Sequence, residues 1–145
     1  MKCFLSYRHT GEDPRKLSQL LDPIVSTLKK QGHHVICTFF DEHNTLGTTA
    51  PPKDMMAQAL RLIDTVDVLL VLQDSPERSE GMLMEVGYCI AKSIPVIVAT
   101  RSTVSGTYLP SMADAATRYD SIEDLTRWLE TEFPHIAMVP KLVSN

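Results

Sequence analysis

The chain has 145 residues, of which 43% are hydrophobic and 22% charged, and this composition suits one globular domain with a complete core. Its formal net charge of -4 excludes the basic surface that nucleic-acid binding needs, and its apolar runs are too short to span a membrane. The N-terminal segment becomes polar too early for a secretory signal, so we expect a cytoplasmic protein.

The cysteines are three in number, lie far apart, and have no metal-ligand spacing; they are Cys3, Cys37 and Cys89. Each falls in an apolar stretch, where a reduced thiol behaves as a small core residue. We therefore expect no disulfide, no bound metal and no cofactor.

The first third of the chain predicts a strand, a helix and a second strand. Residues 3–7 form an apolar run, and Asp13 followed by Pro14 is a typical helix start. The helix should end at Gly32 and contain a kink at Pro23, which cannot donate to the helical ladder. Its buried stripe is predicted to be Leu17, Leu20, Leu21, Ile24, Val25 and Leu28.

The second strand is predicted at residues 35–40, followed by a polar loop over residues 41–50 that could cover a ligand. A helix should begin at residue 51. Asp67 then leads into a continuous apolar run, residues 68–72, which is typical of a central strand buried on both sides.

The second half predicts a helix opened by Ser79, a fourth strand at residues 95–99 and a short fifth strand at residues 117–120. Ser121 and Asp124 make a capping pair before a last amphipathic helix. We expect one domain over residues 1–133 and a C-terminal tail over residues 134–145.

Strands alternating with helices predict a single-domain α/β fold, a flavodoxin- or Rossmann-like three-layer sandwich with about five parallel strands in the order 2-1-3-4-5. In this order the switch point lies between the first and third strands. The loops that follow these two strands should therefore meet at one edge of the sheet.

Polar residues mark both of these loops. The third strand leads into the pattern S-x-G-x-x-x-E-x-G, formed by Ser79, Gly81, Glu85 and Gly87, where a helix start offers free N–H groups to an anion. The first strand ends with Ser6-Tyr7-Arg8. Hydroxyls, a guanidinium and a helix N-terminus suit a phosphate, and a nearby carboxylate suits chemistry on an attached sugar.

The region 67–100, with this pattern followed by Ala91, Lys92 and Pro95-Val96-Ile97, resembles the nucleoside 2-deoxyribosyltransferase superfamily, and within it the 2'-deoxynucleoside 5'-phosphate N-hydrolases. The opening Ser6-Tyr7-Arg8 is similar to their phosphate-binding loop, and residues 119–125 also fit.

The resemblance implies an N-glycosidase or 2-deoxyribosyltransferase, a hydrolase or transferase of nucleotide metabolism, acting on a nucleoside or its 5'-monophosphate. Glu85 would attack the anomeric carbon and form a glycosyl-enzyme. Ser6, Arg8, Ser79 and Gly81 would hold the 5'-phosphate. A serine similar to Ser111 reaches a neighbouring subunit's site in the hydrolases, which implies a homodimer or higher homo-oligomer.

Tyr7 is a candidate substrate contact by stacking, and equally a half-buried packing residue. Each of the other assignments has a structural alternative as well. Glu85 can be a solvated helix residue, Ser79 a simple helix cap, and Arg8 a surface charge. The glycines of the pattern can serve helix packing.

The chain departs from the family at two positions. Ala59 stands where relatives carry an aspartate that helps the base leave, and Asp41, Asp54 and Asp64 are possible substitutes. Lys2 and Cys3 stand where relatives have an early tyrosine.

Two other functions fit parts of the pattern. The opening also resembles TIR-type domains, some of which cleave NAD while many only assemble signalling complexes. Loss of the acid at Ala59 fits a nucleotide-binding sensor without turnover. The sequence leaves open the base, the sugar, the acceptor and the pathway.

Overall fold

Residues 1–40 and 50–137 are described by the computed structural model. Within them five strands form one parallel sheet in the order β2-β1-β3-β4-β5, which confirms the predicted fold and strand order. The strands are β1 (Lys2–Tyr7), β2 (His34–Ile36), β3 (Val68–Gln73), β4 (Val96–Arg101) and β5 (Ala115–Tyr119). The helices are α1 (Pro14–Lys30), α2 (Pro52–Ile63), α3 (Glu80–Lys92), α4 (Leu109–Met112), α5 (Ile122–Thr131) and α6 (Phe133–Ala137).

Apolar side chains fill both faces of the sheet. Under α1 and α5, the core includes Leu21, Leu28 and Leu125, and under α2 and α3 it includes Ile63 and Val86. The central strand β3 is buried on both sides, because every residue but the last is inaccessible. These two layers make the predicted three-layer sandwich, since neither helix layer could bury its apolar face alone.

Helix ends follow the local signals of the sequence. The Asp13 side chain accepts a bond from the Arg15 N–H at 2.9 Å, and Gly32 just after α1 has a positive φ of 86°. Ser121 and Asp124 form a complete capping box before α5. Pro23 lies inside α1, which continues past it to Lys30.

The structure corrects the predicted ends of several elements. Strand β2 stops at Ile36 because the Phe40 N–H turns back to the Cys37 carbonyl at 3.1 Å. Strand β5 starts at Ala115, two residues early. Helix α4 lies in a predicted loop, and α6 occupies the first residues of the predicted tail, with Phe133 fully buried at its start.

The three cysteines are free and buried, as expected of core thiols. In the described ranges, none of the helices is both long and apolar enough to cross a bilayer. The predicted ligand-covering loop falls almost entirely on residues 41–49, outside the described residues.

Candidate active site

Glu85 and Ser6 meet at the carboxyl edge of the sheet. Glu85 lies in the second turn of α3, and Ser6 lies near the end of β1 with only 1% of its surface exposed. The Ser6 hydroxyl donates to Glu85 Oε2 at 2.5 Å, across 79 positions of sequence. The loops after the first and third strands therefore converge where the strand order reverses.

The surroundings of Glu85 keep its carboxyl group poised between two protonation states. Burial raises the pKa of Glu85 to about 7, and the hydrogen bond from Ser6 opposes this rise only in part. No cation of residues 1–40 or 50–137 forms an ion pair with Glu85. With a pKa of about 7, part of this carboxylate is ionised at neutral pH, and no described residue supplies a counter-ion for it.

Tyr7 ends β1 directly after Ser6. Its hydroxyl lies 3.2 Å from the Thr38 hydroxyl, and its ring meets the edge of Phe39 with centroids 6.4 Å apart. Burial raises the pKa of Tyr7 well above its ordinary value, so the phenol stays neutral. These contacts pack the Tyr7 ring, and stacking on a substrate stays a prediction.

Arg8 follows and is half-buried. Its guanidinium donates to the Glu12 carboxylate, so its charge is paired within the loop after β1. Arg8 also lines a cleft together with Ser79, whereas Ser6 and Glu85 are not among the residues that line it.

The N-terminus of α3 is capped by Ser79, whose hydroxyl accepts the Met82 N–H at 3.3 Å. At Gly81, a Cβ atom would meet only the Met56 methyl at an ordinary 3.7 Å, and at Gly87 it would meet nothing within 4 Å. Close packing against the described residues therefore requires neither glycine, which argues against the packing explanation for both.

The cleft has a volume of about 210 Å³ and lies between the loop after β3 and the loop after β4. Its polar walls include Gln73, Asp74, Ser105 and Thr107, and Tyr108 stands at its rim with 73% of its surface exposed. The predicted phosphate-binding residues Arg8 and Ser79 form one end.

Ser111 is not brought to this cluster within one chain. It lies exposed on the short helix α4, outside the lining of the cleft. Tyr108 and Met112 beside it are also exposed, as are Leu83 and Met84 on α3. A contact between Ser111 and the site of a second subunit therefore stays a prediction.

The structure places one of the three possible substitutes for the acid missing at Ala59 away from the candidate site, and for the other two the substitution stays a prediction. Ala59 itself is buried in the core under α2. Asp64 accepts a bond from the Tyr88 hydroxyl at 2.6 Å at the far end of α2, where the chain enters β3. Asp54 is exposed in the first turn of α2, and Asp41 falls outside the described residues.

Sequence reasoning missed a second polar cluster at the same edge of the sheet. Asp74 Oδ1 accepts bonds from the Tyr119 hydroxyl at 2.7 Å and from Arg101 Nε at 2.8 Å. Arg101 also lies over the Tyr119 ring, 5.2 Å from its centroid. The available signal was positional, because each of these residues ends or directly follows a strand.

Among the described residues, no group of three or more histidine, cysteine or acidic side chains could hold a metal ion. The candidate site is therefore described by the carboxylate, hydroxyls, guanidinium and helix start given above.

No protein-family model matches the sequence, and no curated protein matches it. Among solved structures, the chain is similar to the CMP N-glycosidase BcmB of Clostridium botulinum, with a TM-score of 0.67 and 13% identity over 90% of this chain and 98% of that one. It is also similar to a 2-deoxyribosyltransferase of Bacillus psychrosaccharolyticus, with a TM-score of 0.65 and 15% identity over 98% of this chain and 100% of that one.

A conserved protein of Enterococcus faecalis V583 gives a TM-score of 0.59 and 17% identity over 88% of this chain and 95% of that one. At identities this low the similarity shows the fold alone, and the activity has to be argued from the residues of the site. The resemblance drawn from the sequence is thus confirmed at the level of the fold, which this chain shares with an N-glycosidase and a deoxyribosyltransferase over nearly its whole length.

Proposed function

We propose that the protein is an N-glycosidase or 2-deoxyribosyltransferase that cleaves the N-glycosidic bond of a nucleoside or nucleoside 5'-monophosphate. The observation that carries this proposal is the Glu85 carboxylate, which accepts the Ser6 hydroxyl, has a raised pKa and forms no ion pair with a cation in the described part of the chain. The activities named for two solved structures of the same fold support it.

In the proposed reaction, an ionised Glu85 oxygen bonds to the anomeric carbon as the carbon–nitrogen bond breaks. The bonding electrons leave with the base, which takes a proton from solvent. Water or a second base then attacks the glycosyl ester and releases Glu85. A carboxylate that no cation of residues 1–40 or 50–137 neutralises suits this role, because its charge can stabilise the oxocarbenium-like transition state.

Ser6 serves this carboxylate by positioning one of its oxygens, so the other is left for the sugar. Arg8 and Ser79 would hold the 5'-phosphate at the near end of the cleft, with free N–H groups of the α3 start. The exposed surface around Ser111 supports a homodimer in which this serine serves the second subunit.

The experiment is a chromatographic assay for free base after incubation with nucleosides, ribonucleoside and deoxyribonucleoside 5'-monophosphates, and NAD. We expect base release from nucleosides or 5'-monophosphates and a loss of at least ~10³-fold in Glu85→Ala, because the bond-forming group is gone. Glu80→Ala is the matched control, since Glu80 is exposed in the first turn of the same helix.

A different outcome identifies a different function. Release of nicotinamide from NAD alone would replace the proposal with a TIR-like NAD hydrolase. The buried Ala59 favours one further candidate, a sensor without turnover. It would be indicated if no base is released while a 5'-monophosphate still raises the melting temperature.

A further inference from the structure

The cleft beside Arg8 is longer than a single phosphate requires. It runs from Arg8, after β1, past the end of β3 to Thr107, after β4. Neighbouring strands lie ~4.8 Å apart, so the ends of β1 and β4 are separated by about 10 Å. A 5'-phosphate on Arg8 and Ser79 would leave the β4 end of the cleft unfilled.

The β4 end of the cleft is lined by hydrogen-bond donors that the side chains of residues 1–40 and 50–137 do not use. Thr107 Oγ1 accepts the Gln73 amide N–H at 3.0 Å and the Leu109 backbone N–H at 3.3 Å. With both acceptor positions used, the Thr107 hydroxyl proton remains to be donated.

The side chain of Gln73 is also held in place by hydrogen bonds. Its amide oxygen accepts the Thr100 hydroxyl at 3.0 Å, which orients the amide and leaves its second N–H available. Because Thr100 is fully buried, this orientation is set from within the fold. The β4 end of the cleft thus offers two placed donors.

The cleft is lined by two acidic residues, Asp74 and Glu77, and by the cation Arg78 next to Glu77. Asp74 is bound by Arg101 through two nitrogens, at 2.8 Å and 2.7 Å, and by the Tyr119 hydroxyl. Its charge is balanced, so it does not exclude an anion from the neighbouring donors. Tyr108 at the rim is exposed and could stack on a further ring.

The geometry points to a second phosphate position at Thr107 and Gln73, so that the preferred ligand carries a 5'-diphosphate group. This rests on the proposed function, because it takes Arg8 and Ser79 as the first phosphate position. The diphosphate could belong to a nucleoside diphosphate or to a dinucleotide, and both present the same chemistry to these donors.

Calorimetry with one nucleoside as its 5'-monophosphate and 5'-diphosphate tests this position without requiring turnover. We expect the diphosphate to bind about tenfold more tightly, as two hydrogen bonds to a charged group allow. In Thr107→Val this ratio should fall towards one, whereas Thr107→Ser, which keeps the hydroxyl, should retain it. Thr103→Val, at an exposed position of the same loop outside the cleft lining, is the control.

Equal affinity for the two nucleotides, or loss of the ratio in Thr107→Ser as well, would overturn the second position. Both results leave the proposed function intact, because that depends on base release and on Glu85. NAD separates the two ligand sources: tighter binding of NAD than of the nucleoside diphosphate, lost in Tyr108→Ala, identifies a dinucleotide. Equal binding identifies the free diphosphate.

Discussion

Two carboxylates lie at the same edge of one sheet, and they differ in the hydrogen bonds and ion pairs that they receive. Asp74, after β3, is bound by an arginine and a tyrosine hydroxyl, while Glu85, on α3, receives one serine hydroxyl and no cation among the described residues. Burial raises the pKa of Glu85 to about 7, and the pKa of Tyr119 is raised by its own burial and then by its bond to Asp74.

The difference separates a structural carboxylate, Asp74, from Glu85, the carboxylate that we propose to react. Around Asp74, charge and hydrogen-bond capacity are matched, so the group ties β3 to β4 and β5. Around Glu85, the Ser6 hydrogen bond compensates desolvation only in part, so holding the ionised carboxylate costs the fold stability. Groups with a pKa perturbed in this way are characteristic of functional sites.

The strongest test of this comparison is removal of the structural carboxylate. Asp74→Ala leaves Arg101 and the Tyr119 hydroxyl without their shared acceptor, and we expect the free energy of unfolding to fall by about 2 kcal/mol. The melting temperature, followed by circular dichroism, should fall by roughly 6 °C. Asp120→Ala, at an exposed neighbouring position, should change it little. A similar melting temperature for both variants would contradict a structural role for Asp74.

Replacing Glu85, the carboxylate proposed to react, should raise the free energy of unfolding, whereas replacing Asp74 should lower it. Between pH 4.5 and about 7 the folded protein retains the Glu85 proton that the unfolded chain loses, so ionisation of Glu85 lowers stability as pH rises. Glu85→Gln has no such proton to lose. We expect this variant to exceed the parent in stability at pH 8, by on the order of 2 kcal/mol, and to lose that advantage near pH 4.5.

Urea unfolding at the two pH values, with Glu80→Gln as the control on the same helix, measures this difference. If Glu85→Gln is less stable than the parent at pH 8, then ionised Glu85 stabilises the fold and the contrast with Asp74 disappears.

A smaller effect sharpens the role of Ser6. Its hydrogen bond lowers the pKa of Glu85, so Ser6→Ala should move the acid limb of kcat/KM from about pH 7 to higher pH. At pH 6 we expect kcat/KM of Ser6→Ala to be about tenfold lower than that of the parent. More of the Glu85 carboxyl is protonated in the variant, and Ser6 no longer positions it. Ser6→Thr keeps the hydroxyl and should recover the limb. An unshifted limb in Ser6→Ala would show that Ser6 acts only in packing.

Local signals in the sequence predicted much of the fold. The cap at Asp13, the terminating Gly32 and the capping box at Ser121 depend on residues within a few positions of one another, and all three were found where expected. The apolar run of β3 was equally clear, and the strand order followed from the alternation of elements.

Features that depend on short or distant contacts could not be predicted. Helix α4 has four residues, too few for a periodic pattern, and β5 begins with two alanines that carry little strand preference. The bond from Arg101 to Asp74 spans 27 positions and has no local signature. The position of Glu85 was anticipated from its pattern, but its raised pKa comes from burial that only the folded chain provides.

The hydrogen bond between Ser6 and Glu85 closes a loop of 79 positions. This bond can form only when β1 and β3 are paired in parallel and the connection through α2 has crossed from one strand to the other. Such an arrangement depends on non-local contacts and is therefore slow to form. During refolding, recovery of the Glu85 titration should therefore follow the recovery of helical signal. The site proposed for catalysis would then form only after the first three strands are correctly ordered.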